Sequence, residues 1–119
     1  MGNPKEPRND STRLAVLDAL TRVPTPDGNT FAELFRHGSM SVEVYAPRGH
    51  DPQQPHTRDE LYVVIGGRGT FRCADRSFAF GPGDLLFVPA GIPHRFEGFG
   101  DDFSTWVVFY GPDGGESRP

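Results

Sequence analysis

The chain has 119 residues, enough for one domain rather than two, and its formal net charge of −4 with scattered Lys and Arg argues against a nucleic-acid partner. No apolar stretch approaches the ~18 residues that span a membrane, and no secretory signal is evident at the N-terminus. The only cysteine, Cys73, cannot form an internal disulfide, so we expect a reduced, cytoplasmic setting.

The N-terminal region predicts one short helix. Residues 1–11 are polar and rich in Pro, Asn and Asp, which is typical of a disordered lead. Ser11 or Thr12 is expected to cap a helix with partly helical apolar spacing, which ends before Pro24. The chain then divides into a lead with a helix, one β domain and a flexible tail, with the ranges 1–23, 24–112 and 113–119.

From Phe31 onward the apolar period changes to two, which is typical of β-strands. Glycine and proline separate short apolar runs. The predicted strands are Phe31–Arg36, Ser41–Tyr45, Glu60–Ile65, Thr70–Cys73, Phe78–Phe80, Leu85–Val88, His94–Glu97 and Phe103–Tyr110. This pattern predicts an all-β fold, either a closed barrel or two sheets, whose interior or mouth suits a small ligand.

The last predicted strand, Phe103–Tyr110, alternates aromatic and aliphatic residues over an unusual length. If such a strand lies at the edge of a sheet, its unpaired backbone groups invite association with another chain. We therefore expect a homodimer that covers it.

Two short clusters carry residues that bind metals. Gln54, His56 and Glu60 are all even-numbered, so in an extended strand they would point to one face, where His94 could join them from a neighbouring strand. Each has an ordinary alternative: a histidine on a strand is often structural, Glu60 could face solvent beside Asp59, and a loop amide often bonds to backbone. A carboxylate that shares an apolar face needs a partner, and a metal ion is one.

The order and spacing of these residues resemble the two signature motifs of the cupin superfamily, in its small single-domain, cupin 2 type. The first motif is His56-x3-Glu60-x6-Gly67, and the second is Gly83-x5-Pro89-x-Gly91-x2-His94. The sequence departs from the motifs at Gln54, where a further histidine is usual, and at Gly98, where an asparagine is usual.

The resemblance implies a double-stranded β-helix, or jelly-roll barrel, often dimeric, with one divalent metal ion inside. The implied ligands are Gln54, His56, Glu60 and His94. Two imidazoles and a carboxylate suit Fe, and also Mn, Ni, Zn or Co. If Gln54 turns away, the remaining two-His-one-carboxylate set leaves positions open to water, substrate or O2.

Three functions are compatible with such a site. The first is a metal-dependent dioxygenase acting on a small organic molecule, with Glu60 as a catalytic residue that takes a proton. The second is an isomerase or epimerase, or a related lyase, in which the ion serves as a Lewis acid. The third is a non-catalytic module that binds a small ligand. Tyr62 and Phe96 share the phase of Glu60 and His94 and are predicted to line the pocket, which favours an apolar or aromatic substrate.

Overall fold

Two antiparallel sheets form the structure, a computed structural model that describes residues 6–117. The first sheet has the strand order β1-β2-β8-β3-β6 and the second the order β5-β4-β7. In chain order the elements are α1 (Val16–Leu20), β1 (Phe31–His37), β2 (Met40–Tyr45), β3 (Asp59–Gly66), β4 (Gly69–Cys73), β5 (Arg76–Phe80), β6 (Leu85–Val88), β7 (His94–Glu97) and β8 (Ser104–Tyr110). The predicted all-β jelly-roll fold with a short helix is confirmed.

Strand β8 lies in the middle of the five-stranded sheet, so its prediction as an exposed edge is wrong. It pairs with β2 on one side, where Val44 opposes Trp106, and with β3 on the other, where Tyr62 opposes Val107. The strand is long and apolar because the two neighbouring strands and the core cover it. The edge strands of this sheet are β1 and β6, and β6 exposes Leu85 and Phe87. The homodimer stays a prediction, but it is no longer supported by an exposed edge at β8.

The core is an aromatic cluster to which both sheets contribute. Its buried members include Tyr62, Phe71, Phe80, Phe96 and Phe103. Burying a large apolar side chain contributes about 1.5–3 kcal/mol, so this cluster supplies much of the driving force for folding. Gly67 is required beside it because its φ is +87° and a Cβ there would lie 2.6 Å from the Cα of Phe103.

The helix is shorter than predicted and begins later. Its N-cap is Ala15, which makes no side-chain cap, so the expectation of a cap at Ser11 or Thr12 is wrong. The apolar spacing predicted too long a helix, because Leu17 is 78% exposed and does not form part of a buried helix face. No helix within residues 6–117 is long and apolar enough to cross a membrane.

The predicted tail contacts the segment that leads into β3, as far as it is described. Gly114 N donates a hydrogen bond of 2.7 Å to Thr57 O, and Glu116 N donates one of 2.8 Å to the carboxylate of Asp59. Residues 1–5 of the predicted lead and residues 118–119 of the predicted tail lie outside the described residues.

Candidate metal centre

One nitrogen or oxygen atom from each of His56, Glu60 and His94 meets inside the barrel. These atoms lie within 4.8 Å of one another. Glu60 Oε1 is 2.8 Å from His94 Nε2 and 3.9 Å from His56 Nε2. Three donor atoms at these distances lie close enough together for one divalent ion to contact all of them. We refer to these three residues as the metal cluster.

Glu60 and His94 belong to strands, whereas His56 belongs to a loop. Glu60 is the second residue of β3, and its side chain is 1% exposed. His94 opens β7 directly after Pro93, whose fixed φ restricts the backbone that enters the strand. β3 begins only at Asp59, so the idea that His56 shares one strand face with Glu60 is wrong.

At His94 and Glu60, lone pairs rather than protons point toward the centre of the metal cluster. His94 donates its Nδ1 proton to Ile92 O at 2.8 Å, so in a neutral imidazole Nε2 carries a lone pair that faces Glu60 Oε1. Two lone pairs 2.8 Å apart repel unless a cation, either a proton on Nε2 or a metal ion, relieves them. Neither carboxylate oxygen of Glu60 accepts a hydrogen bond from the described residues. The donor set therefore fits a divalent cation.

The two histidines of the metal cluster respond to burial differently. Burial lowers the pKa of His56 more than the nearby carboxylate of Glu60 raises it, which favours the neutral imidazole that metals bind. Burial also lowers the pKa of His94, but the adjacent carboxylate of Glu60 and the carbonyl oxygen of Ile92 outweigh it and leave that pKa above its usual range. Of the two histidines, His94 therefore holds a proton more readily.

Gln53, and not Gln54, brings its amide to the metal cluster. Gln53 Oε1 lies 3.3 Å from His56 Nε2 and accepts a hydrogen bond of 2.9 Å from the hydroxyl of Tyr62. Gln54 is exposed at the pocket wall. Its role as a metal ligand stays a prediction, and the structure offers Gln53 as the amide better placed for it. The parity of residue numbers misled here because these residues precede the strand.

Tyr62 and Phe96 lie deeper than predicted. Both are essentially inaccessible to solvent and pack edge to face, with ring centroids 4.8 Å apart. They belong to the core cluster, and their place in the pocket lining stays a prediction. The hydroxyl of Tyr62 nevertheless lies 3.0 Å from His94 Nε2. Burial raises the pKa of Tyr62 well above its usual range, and Glu60 raises it further, so the phenol keeps its proton.

A pocket of about 550 Å³ opens beside His56. Its apolar walls come from Tyr45, Val107 and Phe109, and its polar groups include Glu43 and His50. The volume suits a small organic molecule. The sequence alone had not singled out Glu43, although it shares the odd-numbered phase of Tyr45 on β2. It had also not singled out Asp51, which lies in an irregular loop where no periodicity applies.

Comparison with known proteins agrees with the fold. The family described as Cupin domain matches residues 41–110. The uncharacterized protein SCO3923 of Streptomyces coelicolor is 31% identical over 99 residues, which cover 82% of this chain and 94% of that protein.

Two further similarities concern dimethylsulfoniopropionate (DMSP) lyases. The lyase DddQ of Ruegeria pomeroyi is 31% identical over 70 residues, which cover 57% of this chain but only 35% of that protein. A solved structure described as one of the DMSP lyases RdDddP and RnDddQII superposes with a TM-score of 0.60 at 28% identity, covering 70% of this chain and 47% of that one. The family match spans more than half of the chain and includes all three residues of the metal cluster. This chain therefore belongs to the family of Cupin domain proteins.

Proposed function

We propose that this protein is an enzyme that depends on one divalent metal ion and acts on a small organic molecule bound in the pocket beside His56. The observation that carries the proposal is the carboxylate of Glu60, which is buried next to two imidazoles without a hydrogen-bond donor. An isolated buried charge is costly, so a cation is the partner that accounts for it. Fe, Mn, Ni, Zn and Co are all compatible with these ligands.

Different residues of the chain would have different roles at such a site. His56, Glu60 and His94 would hold the ion, and Ile92 O fixes the orientation of the His94 ring. A bound ion would supply Lewis-acid chemistry, by polarising a carbonyl or carboxylate oxygen of the ligand. Val107 and Phe109 form an apolar wall that would exclude water from one side of the ligand.

Among reaction classes, we favour a lyase or isomerase reaction that requires no oxygen. Such reactions need a protein group that accepts or returns a proton, and Glu60, with the hydroxyl of Tyr62 beside His94, provides oxygen atoms at the metal cluster. The similarity to DMSP lyases in both sequence and structure supports this class. The chain spans about a third of DddQ, so the substrate of that enzyme is not carried over.

A dioxygenase is the second candidate. Two histidines and one carboxylate with open positions form the ligand set of non-haem iron oxygenases. The apolar wall of the pocket suits an aromatic or aliphatic substrate.

The experiment begins with metal analysis of protein purified without chelator or a nickel column. The protein is then loaded separately with Fe(II), Mn(II), Ni(II), Zn(II) and Co(II). Elimination or isomerisation of small carboxylates is assayed with and without oxygen, while oxygen uptake is followed with catechols, flavonoids, diketones and thiols. Turnover that persists without oxygen and is lost in Glu60→Gln supports the first class, and oxygen uptake supports the second. Binding of small molecules without turnover would indicate a non-catalytic module, and absence of metal binding would contradict the proposal.

A further inference from the structure

Asp51 is a buried carboxylate that lies outside the metal cluster. It is 2% exposed and accepts four hydrogen bonds. The donors are the Tyr45 hydroxyl at 2.5 Å, Phe96 N at 2.9 Å, and Gln53 N and Nε2 at 3.3 and 2.7 Å. Tyr45 belongs to β2 and Phe96 to β7, so Asp51 ties its loop to both sheets at once. Its surroundings offer it only donors, which suits a group that can only accept.

The contact with Asp51 determines which end of the Gln53 amide faces the metal cluster. A side-chain amide has donors on nitrogen and an acceptor on oxygen. Nε2 of Gln53 donates to Asp51 Oδ2, so Oε1 points the other way, toward His56 Nε2 and the hydroxyl of Tyr62. If the amide were turned over, its oxygen would oppose the carboxylate of Asp51, and its NH₂ group would point toward the metal cluster.

The orientation of Gln53 in turn sets the direction of the Tyr62 hydroxyl. The proton of this hydroxyl is donated to Gln53 Oε1 at 2.9 Å, so the oxygen is left with lone pairs on the side of His94 Nε2, 3.0 Å away. A chain of hydrogen bonds therefore runs from Tyr62 through Gln53 to Asp51. Along this chain every proton points away from the metal cluster, which is what a cation site needs.

We propose that Asp51 is a positioning residue, which holds the Gln53 amide so that Oε1 faces the metal cluster and Nε2 does not. The expected consequence is tighter binding of a divalent ion, and this part of the inference rests on the proposed metal site. The orientation of the amide itself is a property of the metal-free protein and can be measured there.

The first measurement is the affinity for Zn²⁺ and Co²⁺, by competition with a chromophoric chelator. Asp51→Ala and Gln53→Met are each expected to weaken binding about 10- to 100-fold, which is the usual effect of losing a group that orients a metal site. The double variant should bind no more weakly than the weaker single variant, because Asp51 acts through Gln53. Asp101→Ala removes an exposed carboxylate that belongs to neither the metal cluster nor the pocket wall, and it serves as the matched control for Asp51→Ala, with an expected change below about twofold.

The second measurement is nuclear magnetic resonance of the Gln53 side-chain amide in the metal-free protein. Its Nε2 protons should exchange with water more slowly than those of Gln54, and this protection should be lost in Asp51→Ala and retained in Asp51→Asn, which keeps one acceptor oxygen.

Several results would overturn the inference. They are equal exchange of the two amides, wild-type metal affinity in Gln53→Met, or additive losses in the double variant. Gln53→Met leaves the contacts of Asp51 with Tyr45 and Phe96 in place, so it tests the inference even if Asp51→Ala does not fold. If the wild type binds no divalent ion while its Gln53 amide is protected, the proposed function fails and the orienting role of Asp51 is supported.

Discussion

The interior of the barrel has two halves that differ in chemistry. One half is the aromatic cluster, in which Phe96 and Phe103 are inaccessible to solvent and pack with ring centroids 4.7 Å apart. The other half holds the metal cluster and opens into the pocket at His56. Strand β3 passes through both, because Glu60 belongs to the polar half while Val64 belongs to the apolar one.

This division separates what stabilises the fold from what the site can do. The aromatic half gains free energy from each buried ring. The polar half loses free energy in the absence of a cation, because the carboxylate of Glu60 is desolvated without a hydrogen-bond donor. We therefore expect substitutions in the aromatic half to change mainly the unfolding free energy, and substitutions in the polar half to change mainly the metal affinity.

The largest effect on stability is expected from Phe103→Ala. The ring is fully buried and contacts Phe80, Phe96 and Phe99, so its loss leaves a cavity that costs about 3–5 kcal/mol of unfolding free energy. Urea denaturation measures this loss. Metal affinity, measured on the fraction that remains folded, should change little. A Phe103→Ala protein as stable as the wild type would contradict the division into halves.

Metal loading should have the next largest effect, in the opposite direction. An ion that binds only the folded state stabilises it by about 2.7 kcal/mol at a concentration one hundred times its Kd. We expect the melting temperature to rise with Zn²⁺ and to return to its starting value on chelation. Phe87→Ser, an exposed position on the edge strand β6, is a suitable control because its melting temperature should rise by the same amount.

Glu60→Gln should stabilise the metal-free protein and abolish its stabilisation by metal, with a smaller change in unfolding free energy than metal loading gives. The amide is neutral and can donate to His94 Nε2, which removes the cost of an unpartnered carboxylate. The metal-free variant is expected to gain about 1 kcal/mol of unfolding free energy, while the rise in melting temperature on metal addition disappears. Parallel denaturation with and without Zn²⁺ checks both parts. A variant that is less stable in the metal-free state would show that Glu60 already has a partner.

The same division explains how far the sequence could predict the molecule. Eight strands were predicted close to their observed bounds because alternation and turn residues encode them locally. Within strands, parity also placed Glu60 and Tyr62 on one inward face. The helix cap was predicted wrongly: the Ser11 hydroxyl donates to Asn9 Oδ1 instead of capping a helix, and the helix begins only after Ala15.

The loop that precedes β3 is where prediction from periodicity ended. Pro52 and Pro55 lack backbone donors and keep this segment out of the sheet, so residue parity carries no information about direction. The contacts of Asp51 show the consequence. Its partner Phe96 lies 45 residues away, and no local pattern encodes such a pair. Gln53, whose amide donates to Asp51, faces the metal cluster, whereas Gln54 lies exposed at the pocket wall.

The smallest expected effect concerns Glu43, a second carboxylate in the polar half. Burial, followed by the charges of Glu33 and Glu60, raises its pKa, so the folded state favours the neutral carboxyl. The contribution of the neutral carboxyl to stability is fully present below the ordinary pKa of 4.5 and is lost as the pH rises through the folded-state pKa. The ionised Glu43 therefore destabilises the fold at neutral pH.

The charge of Glu33 sets the size of this effect. Glu33 lies directly opposite Glu43 on β1, and like charges in such a pair cost at most about 1 kcal/mol. Glu43→Gln should therefore raise the unfolding free energy at pH 7.5 by up to this amount and leave it unchanged at pH values below the ordinary pKa. Urea denaturation across this pH range measures the difference, and an equal gain at all pH values would assign the effect to packing instead of charge.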